Sequence, residues 1–186
     1  MYKSFFWPFL LLSTVQAGVL TAYTTSLSPR NNVQIDFQVL PNETAVEVTV
    51  TYDGLAWVAV GTGSSAMPGT TACIAKPEEF TTPRIFDITG RNGAAVTQSA
   101  TQSLLEGSSF TQTNGQSILK CKAPFDPANA PSSGDFGFST TGSTSMVVAW
   151  GQSNTFGYHG NSNKVPGLSV DLSVAMTVVK PTVTAQ

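Results

Sequence analysis

The chain has 186 residues, of which only 11% are charged, and nine Lys and Arg set against eleven Asp and Glu leave a net charge of −2. Sparse, balanced charge without a basic cluster makes nucleic acid and anionic membrane poor candidate partners, since both call for cations that neutralise phosphate. The length fits one domain of ordinary size, large enough to bury a core.

Met1 to Ala17 combines a lone Lys3, an apolar run from Phe5 to Leu12 and a small-residue ending at Val15-Gln-Ala17. This is the pattern of a secretory signal peptide cut near Ala17-Gly18. The apolar run is too short to cross a bilayer and Pro8 interrupts it; no other segment offers the roughly 20 apolar residues of a spanning helix. The expected product is a secreted, extracellular protein with no membrane span: one domain over 18–180 and a short C-terminal tail over 181–186.

Val33 to Val39 and Val46 to Tyr52 alternate apolar and polar residues on either side of Pro41-Asn-Glu-Thr, which predicts a hairpin of half-buried strands. Asn42-Glu-Thr44 in that turn is the one glycosylation sequon, so Asn42 is a candidate glycan site. Asp53-Gly54 leads into Leu55-Ala-Trp-Val-Ala-Val60, a continuous apolar run that predicts a strand buried on both faces. After a Gly/Ser/Pro loop carrying Met67, further short strands are predicted at Thr71–Ala75, Arg84–Ile88, Ala94–Thr97, Ser117–Lys122, Gly134–Ser139, Ser145–Trp150 and Leu168–Val174. With no amphipathic helix among them, they predict an all-β antiparallel sandwich or barrel, of which the immunoglobulin-like antiparallel β-sandwich is the expected fold. Cys73 and Cys121 are an even pair in a chain read as exported, where disulfides persist. They are expected to bond to each other, the alternative being two buried thiols.

His159 is the only histidine, and one imidazole cannot complete a zinc or blue-copper site. It can hold one side of a haem, whose iron takes two axial ligands; His with Met is an established pair that raises the reduction potential. Met67, in Gly63-Ser-Ser-Ala-Met67-Pro-Gly69, is a methionine presented on a loop. Acid–base hydrolysis needs two positioned carboxylates, and Asp36, Asp53, Glu78, Glu79, Asp87, Asp135 and Asp171 show no spacing that singles out a pair. A serine hydrolase lacks its Gly-x-Ser-x-Gly elbow here. A copper polysaccharide monooxygenase would start at a histidine, whereas signal cleavage here leaves Gly18.

Two blocks carry a family resemblance. Leu55-Ala-Trp-Val-Ala-Val-Gly61, followed by Met67-Pro-Gly-Thr-Thr-Ala-Cys-Ile-Ala75, resembles the strand, methionine loop and strand of DOMON domains. Val147-Val-Ala-Trp-Gly151, followed by Tyr158-His159-Gly160-Asn161, resembles their second block. The relatives implied are the haem b-binding cytochrome domain of cellobiose dehydrogenase and the DOMON domains joined to b-type cytochrome membrane modules. The resemblance implies a DOMON-type sandwich holding haem b and its iron non-covalently, with Met67 and His159 as axial metal ligands. No Cys-x-x-Cys-His offers covalent attachment. Trp150, Phe156 and Tyr158, with Trp57, are candidates to pack the macrocycle, although Trp57 and Trp150 read equally as sandwich core. Arg84 and Arg91 are candidates to meet the haem propionates, with no positional argument to choose between them. Two loop ligands would be presented together at one end of a sandwich.

The resemblance further implies a monomeric electron-transfer protein, not itself a catalyst, that passes single electrons between redox partners. A secreted flavin dehydrogenase is the donor it implies and a copper polysaccharide monooxygenase the acceptor. The alternative is a haem-free carbohydrate- or ligand-binding module, or a cell-surface interaction module, on the same sandwich, with Tyr158 as a stacking platform.

Overall fold

The computed structural model describes residues 23–40, 44–125 and 135–172; the signal segment, Asn42 and the tail over 181–186 lie outside them. The described chain forms eleven strands: β1 (Tyr23–Arg30), β2 (Val33–Leu40), β3 (Ala45–Tyr52), β4 (Val58–Thr62), β5 (Thr70–Ala75), β6 (Arg84–Ile88), β7 (Val96–Gln98), β8 (Ser109–Thr113), β9 (Gln116–Pro124), β10 (Ser143–Trp150) and β11 (Lys164–Asp171). They make two antiparallel sheets, a five-stranded one in the order β1-β2-β3-β9-β8 and a six-stranded one in the order β11-β10-β4-β5-β6-β7. The sheets pack face to face as an all-β sandwich. No helix among the described residues is long and apolar enough to cross a membrane.

Side-chain alternation builds the core between the sheets. Ile35, Phe37 and Val39 of β2, Val46, Val48 and Val50 of β3, and Leu119 and Cys121 of β9 point inward from the five-stranded sheet. Val58, Val60, Cys73, Met146, Val148 and Trp150 meet them from the other. The β2–β3 hairpin stands where its alternation predicts it, in continuous register from Val33 opposite Tyr52 to Leu40 opposite Ala45. The cysteines do pair: Cys73–Cys121 joins β5 to β9 across the core, with Cα atoms 6.5 Å apart.

Elsewhere local chemistry redraws the expected elements. Asn92 caps a 3-10 turn at Gly93–Ala95 by accepting from the Ala95 amide, so β7 starts only at Val96. Residues 135–139 join no ladder. The Gly137 amide donates to Thr62 Oγ1 at 3.3 Å and the Ser139 amide to Thr144 Oγ1 at 2.7 Å, while Phe136 and Phe138 fill the core. β8 has a polar, Ser/Thr/Gln-rich sequence, but Asn114-Gly115 folds it onto β9, both residues taking positive φ (52° and 80°) as a tight hairpin demands. β11 begins at Lys164, before the expected Leu168, because Pro166-Gly167 forms a bulge opposite β10 rather than a turn.

Candidate functional site

β4 and β5 are buried along their whole length, so the six-stranded sheet has a second apolar face, turned away from the sandwich core. Ala59 and Gly61 of β4 occupy it, beside Ala72 and Ile74 of β5 and Val147 and Ala149 of β10; the ladders set Ala59 between Ile74 and Ala149, and Gly61 between Ala72 and Val147. These small side chains form a shallow apolar floor. A Cβ on Gly61 would lie 2.1 Å from Thr70 Cγ2 and 3.3 Å from both Ala72 and Val147, so only glycine fits at its centre.

Two loops cover this floor, and they arrive from opposite ends of the sheet. Residues 63–69 leave β4 after Thr62, which stands opposite Met146; residues 151–163 leave β10 after Trp150, which stands opposite Val58. The expectation that both loops share one end of the sandwich is thus corrected, because antiparallel pairing of β4 with β10 puts the two exits at opposite ends. The Met67 loop is pinned by the Gly69 amide donating to Ile88 O (2.8 Å) and the Gly63 amide to Ser145 O (3.2 Å). It is also pinned by Thr70 Oγ1 donating to Ala66 O at 2.6 Å. The His159 loop is fastened at its base by the Gly151 amide on Trp57 O (2.9 Å) and by reciprocal amide bonds between Gln112 and Asn154 (2.7 and 3.2 Å). Gly151 must lack a side chain, since a Cβ there would stand 2.4 Å from the Trp57 ring.

Trp57, Met67, Val96 and Phe156 close over the floor and leave only about 30 Å³ above it; Met67 and His159 meet on a pair of adjoining clefts beside it. The larger, about 470 Å³, is walled by Met67, His159, Tyr158 and Pro166 and carries Arg91 and Lys164. The smaller, about 240 Å³, shares Met67, His159 and Arg91 and adds Trp57, Phe156 and Lys76. The larger lies in the roughly 300–1,000 Å³ range of small-molecule sites. Neither lining contains an Asp or Glu, so every charged group on these clefts is a cation.

His159 is 6% exposed. Its Nδ1 lies 2.5 Å from the carbonyl oxygen of Gly160, which can only accept, so Nδ1 carries the proton and donates. That leaves the Nε2 lone pair, which takes no hydrogen bond among the described residues. Burial lowers the pKa below the ordinary imidazole value and the nearby Lys164 lowers it further, against an opposing pull from the Gly160 bond. The ring is therefore a neutral donor at physiological pH, the tautomer a metal ligand requires. It packs on Tyr158 (centroids 5.3 Å apart) and Trp57 (6.3 Å).

Of the residues read as macrocycle contacts, Phe156 and Tyr158 line the smaller cleft, as does Trp57. Trp150 does not. It follows the outward-facing Ala149 on β10 and so points into the sandwich core, 1% exposed, with its ring 5.5 Å from Tyr52. Arg91 stands on both clefts; Arg84 lies instead over Phe80 and hydrogen-bonds Gln98. Lys76, Lys164 and Pro166 complete the walls without having been singled out from the sequence. The Pro-Gly of the β11 bulge was the available sign for the last two.

Neither protein-family models nor the curated proteins give a match to this chain. Among the described residues no three His, Cys, Asp or Glu side chains group as a metal site.

Proposed function

We propose that this protein is a secreted b-type cytochrome that holds one haem on the outer face of its six-stranded sheet and carries single electrons. The observation that supports it most strongly is the meeting of Met67 and His159 on one carboxylate-free pair of clefts, although their loops leave the sheet at opposite ends. The donor set fits the group. A thioether and a neutral imidazole with an uncommitted Nε2 are both uncharged ligands, and this pair favours a raised potential. Trp57, Phe156 and Tyr158 offer ring surface on the clefts to a flat macrocycle, and Arg91 and Lys164 suit its two propionates. Bound haem supplies reversible one-electron chemistry.

The chain's own residues do the rest. Gly160 fixes the His159 tautomer, and Trp57 and Phe156 keep water from the inner wall; Met67 and His159 would hold the haem, which would supply electron transfer rather than oxygenation. On this reading the donor is a secreted flavin dehydrogenase and the acceptor a copper polysaccharide monooxygenase. Titration of the purified protein with haemin is expected to saturate at one equivalent and give a low-spin spectrum that sharpens on reduction. A protein that stays colourless in excess haemin contradicts the proposal.

A second reading has one observation in its favour: Tyr158 is 73% exposed beside the cleft, as a sugar-stacking ring would be. A haem-free carbohydrate-binding module would be retained on insoluble polysaccharide and lose that retention with Tyr158→Ala. The cytochrome reading expects no such retention of the wild-type protein.

A further inference from the structure

The turn after β5 carries Lys76, Glu78 and Glu79 and reaches the middle of the His159 loop. Lys76 is a buried cation, 9% exposed, whose Nζ has a carboxylate oxygen of Glu79 at 3.4 Å. Ring faces supply much of its remaining surroundings, with Phe156 at 4.1 Å and Phe86 at 4.5 Å from Nζ to centroid. An ammonium held away from water against such faces is stabilised by their quadrupoles, and it in turn restrains the rings. Phe156 is thus gripped by Lys76 and by Trp57, whose ring centroid is 4.9 Å away. One residue earlier, Thr155 Oγ1 donates to Glu78 Oε1 at 3.2 Å.

The base of the His159 loop has its own fastenings at Trp57 and Gln112. Over 155–158, the hydrogen bonds and cation–ring contacts that arrive from outside the loop, among the described residues, come from Glu78 and Lys76. We infer that Lys76 is a positioning residue: its ammonium, seated on Phe156, holds this stretch so that the His159 ring stands at the cleft wall beside Trp57. The inference rests on the haem reading only in taking His159 as the group that needs positioning.

Lys76→Met keeps the apolar stem and removes the charge, whereas Lys76→Arg keeps a cation that stacks on rings. Because His159 is the sole histidine, its ring protons give one set of NMR signals. Their cross-peak to the Trp57 ring reports the contact in protein free of any ligand. Lys76→Met is expected to weaken or lose that cross-peak and, once loaded, to surrender haemin to an excess of apoglobin about tenfold faster than wild type. Lys76→Arg is expected to keep both properties. Phe156→Leu, which retains apolar bulk without the ring face, should behave as Lys76→Met and takes its place if that variant does not fold. A wild-type cross-peak together with haemin loss within about twofold of wild type overturns the inference. So does an equal defect in Lys76→Arg, which would make the role one of packing alone. A wild-type protein that takes up no haemin contradicts the proposed function, while the cross-peak still decides the role of Lys76.

Discussion

The two outward faces of the sandwich are built on opposite plans. On the five-stranded sheet the outward positions are Gln34, Asp36 and Gln38 of β2, Glu47, Thr49 and Thr51 of β3, and Lys120 and Lys122 of β9, none of them buried. They are matched across strands, as in the Lys120–Glu47 ion pair at 2.9 Å. On the six-stranded sheet the equivalent positions are Ala59, Gly61, Ala72, Ile74, Val147 and Ala149, roofed by two long loops. A sandwich is held together by its two inner faces. A third apolar face is more than folding requires, and Met67, Val96 and Phe156 pack over it, with the clefts that Met67 and His159 share opening alongside.

The largest effect that sharpens this contrast comes from placing the same charge on each face. Ala59→Asp buries an unpaired carboxylate on the apolar floor and is expected to cost about 3 kcal/mol or more in urea denaturation. Thr51→Asp on the other face should stay within about 0.5 kcal/mol. Equal costs would mean the floor is open to water and the contrast false.

A smaller effect comes through pH. Burial keeps the His159 pKa below its ordinary 6.5, so on acidification through that region the unfolded chain takes up a proton before the folded chain does. Stability contributed by this group is complete above 6.5 and declines as the pH falls below it. His159→Gln should remove that part of the decline in the ligand-free protein. An unchanged profile would place the imidazole in water.

The smallest effects belong to the cleft cations. Lys164→Gln should let the His159 pKa rise toward its ordinary value, visible by NMR titration of the single imidazole. It should also weaken haemin binding about fivefold, as expected for one partly exposed ion pair. A tighter complex would show that Lys164 repels what binds there.

Much of this was legible in the sequence because side-chain period reports how many faces of a strand are buried. Strict alternation over Val33–Val39 and Val46–Tyr52 gave the solvated sheet; the unbroken run ending at Val60 gave the doubly buried strand. Met67, His159, Phe156 and Tyr158 could be named from their motifs, and the structure brings them to one place. Strand parity around Trp150 was not legible, since a tryptophan inside an apolar run suits either face until its register is known. Nor was the meeting of the two loops across the sheet, which depends on β4 pairing antiparallel with β10. Lys76 was unreadable for a related reason: its rings come from Phe86 on the next strand and from Phe156 far along the chain, and only folding assembles them.

The central claim is that Met67 and His159 hold one haem from two ends of the same sheet. Near-infrared magnetic circular dichroism of the ferric, haemin-loaded protein reports the axial pair directly. The account predicts a low-spin thioether–imidazole signature that loses its thioether character in Met67→Ala and vanishes in His159→Ala. An unchanged signature in both variants, or a five-coordinate spectrum in the wild type, would contradict it.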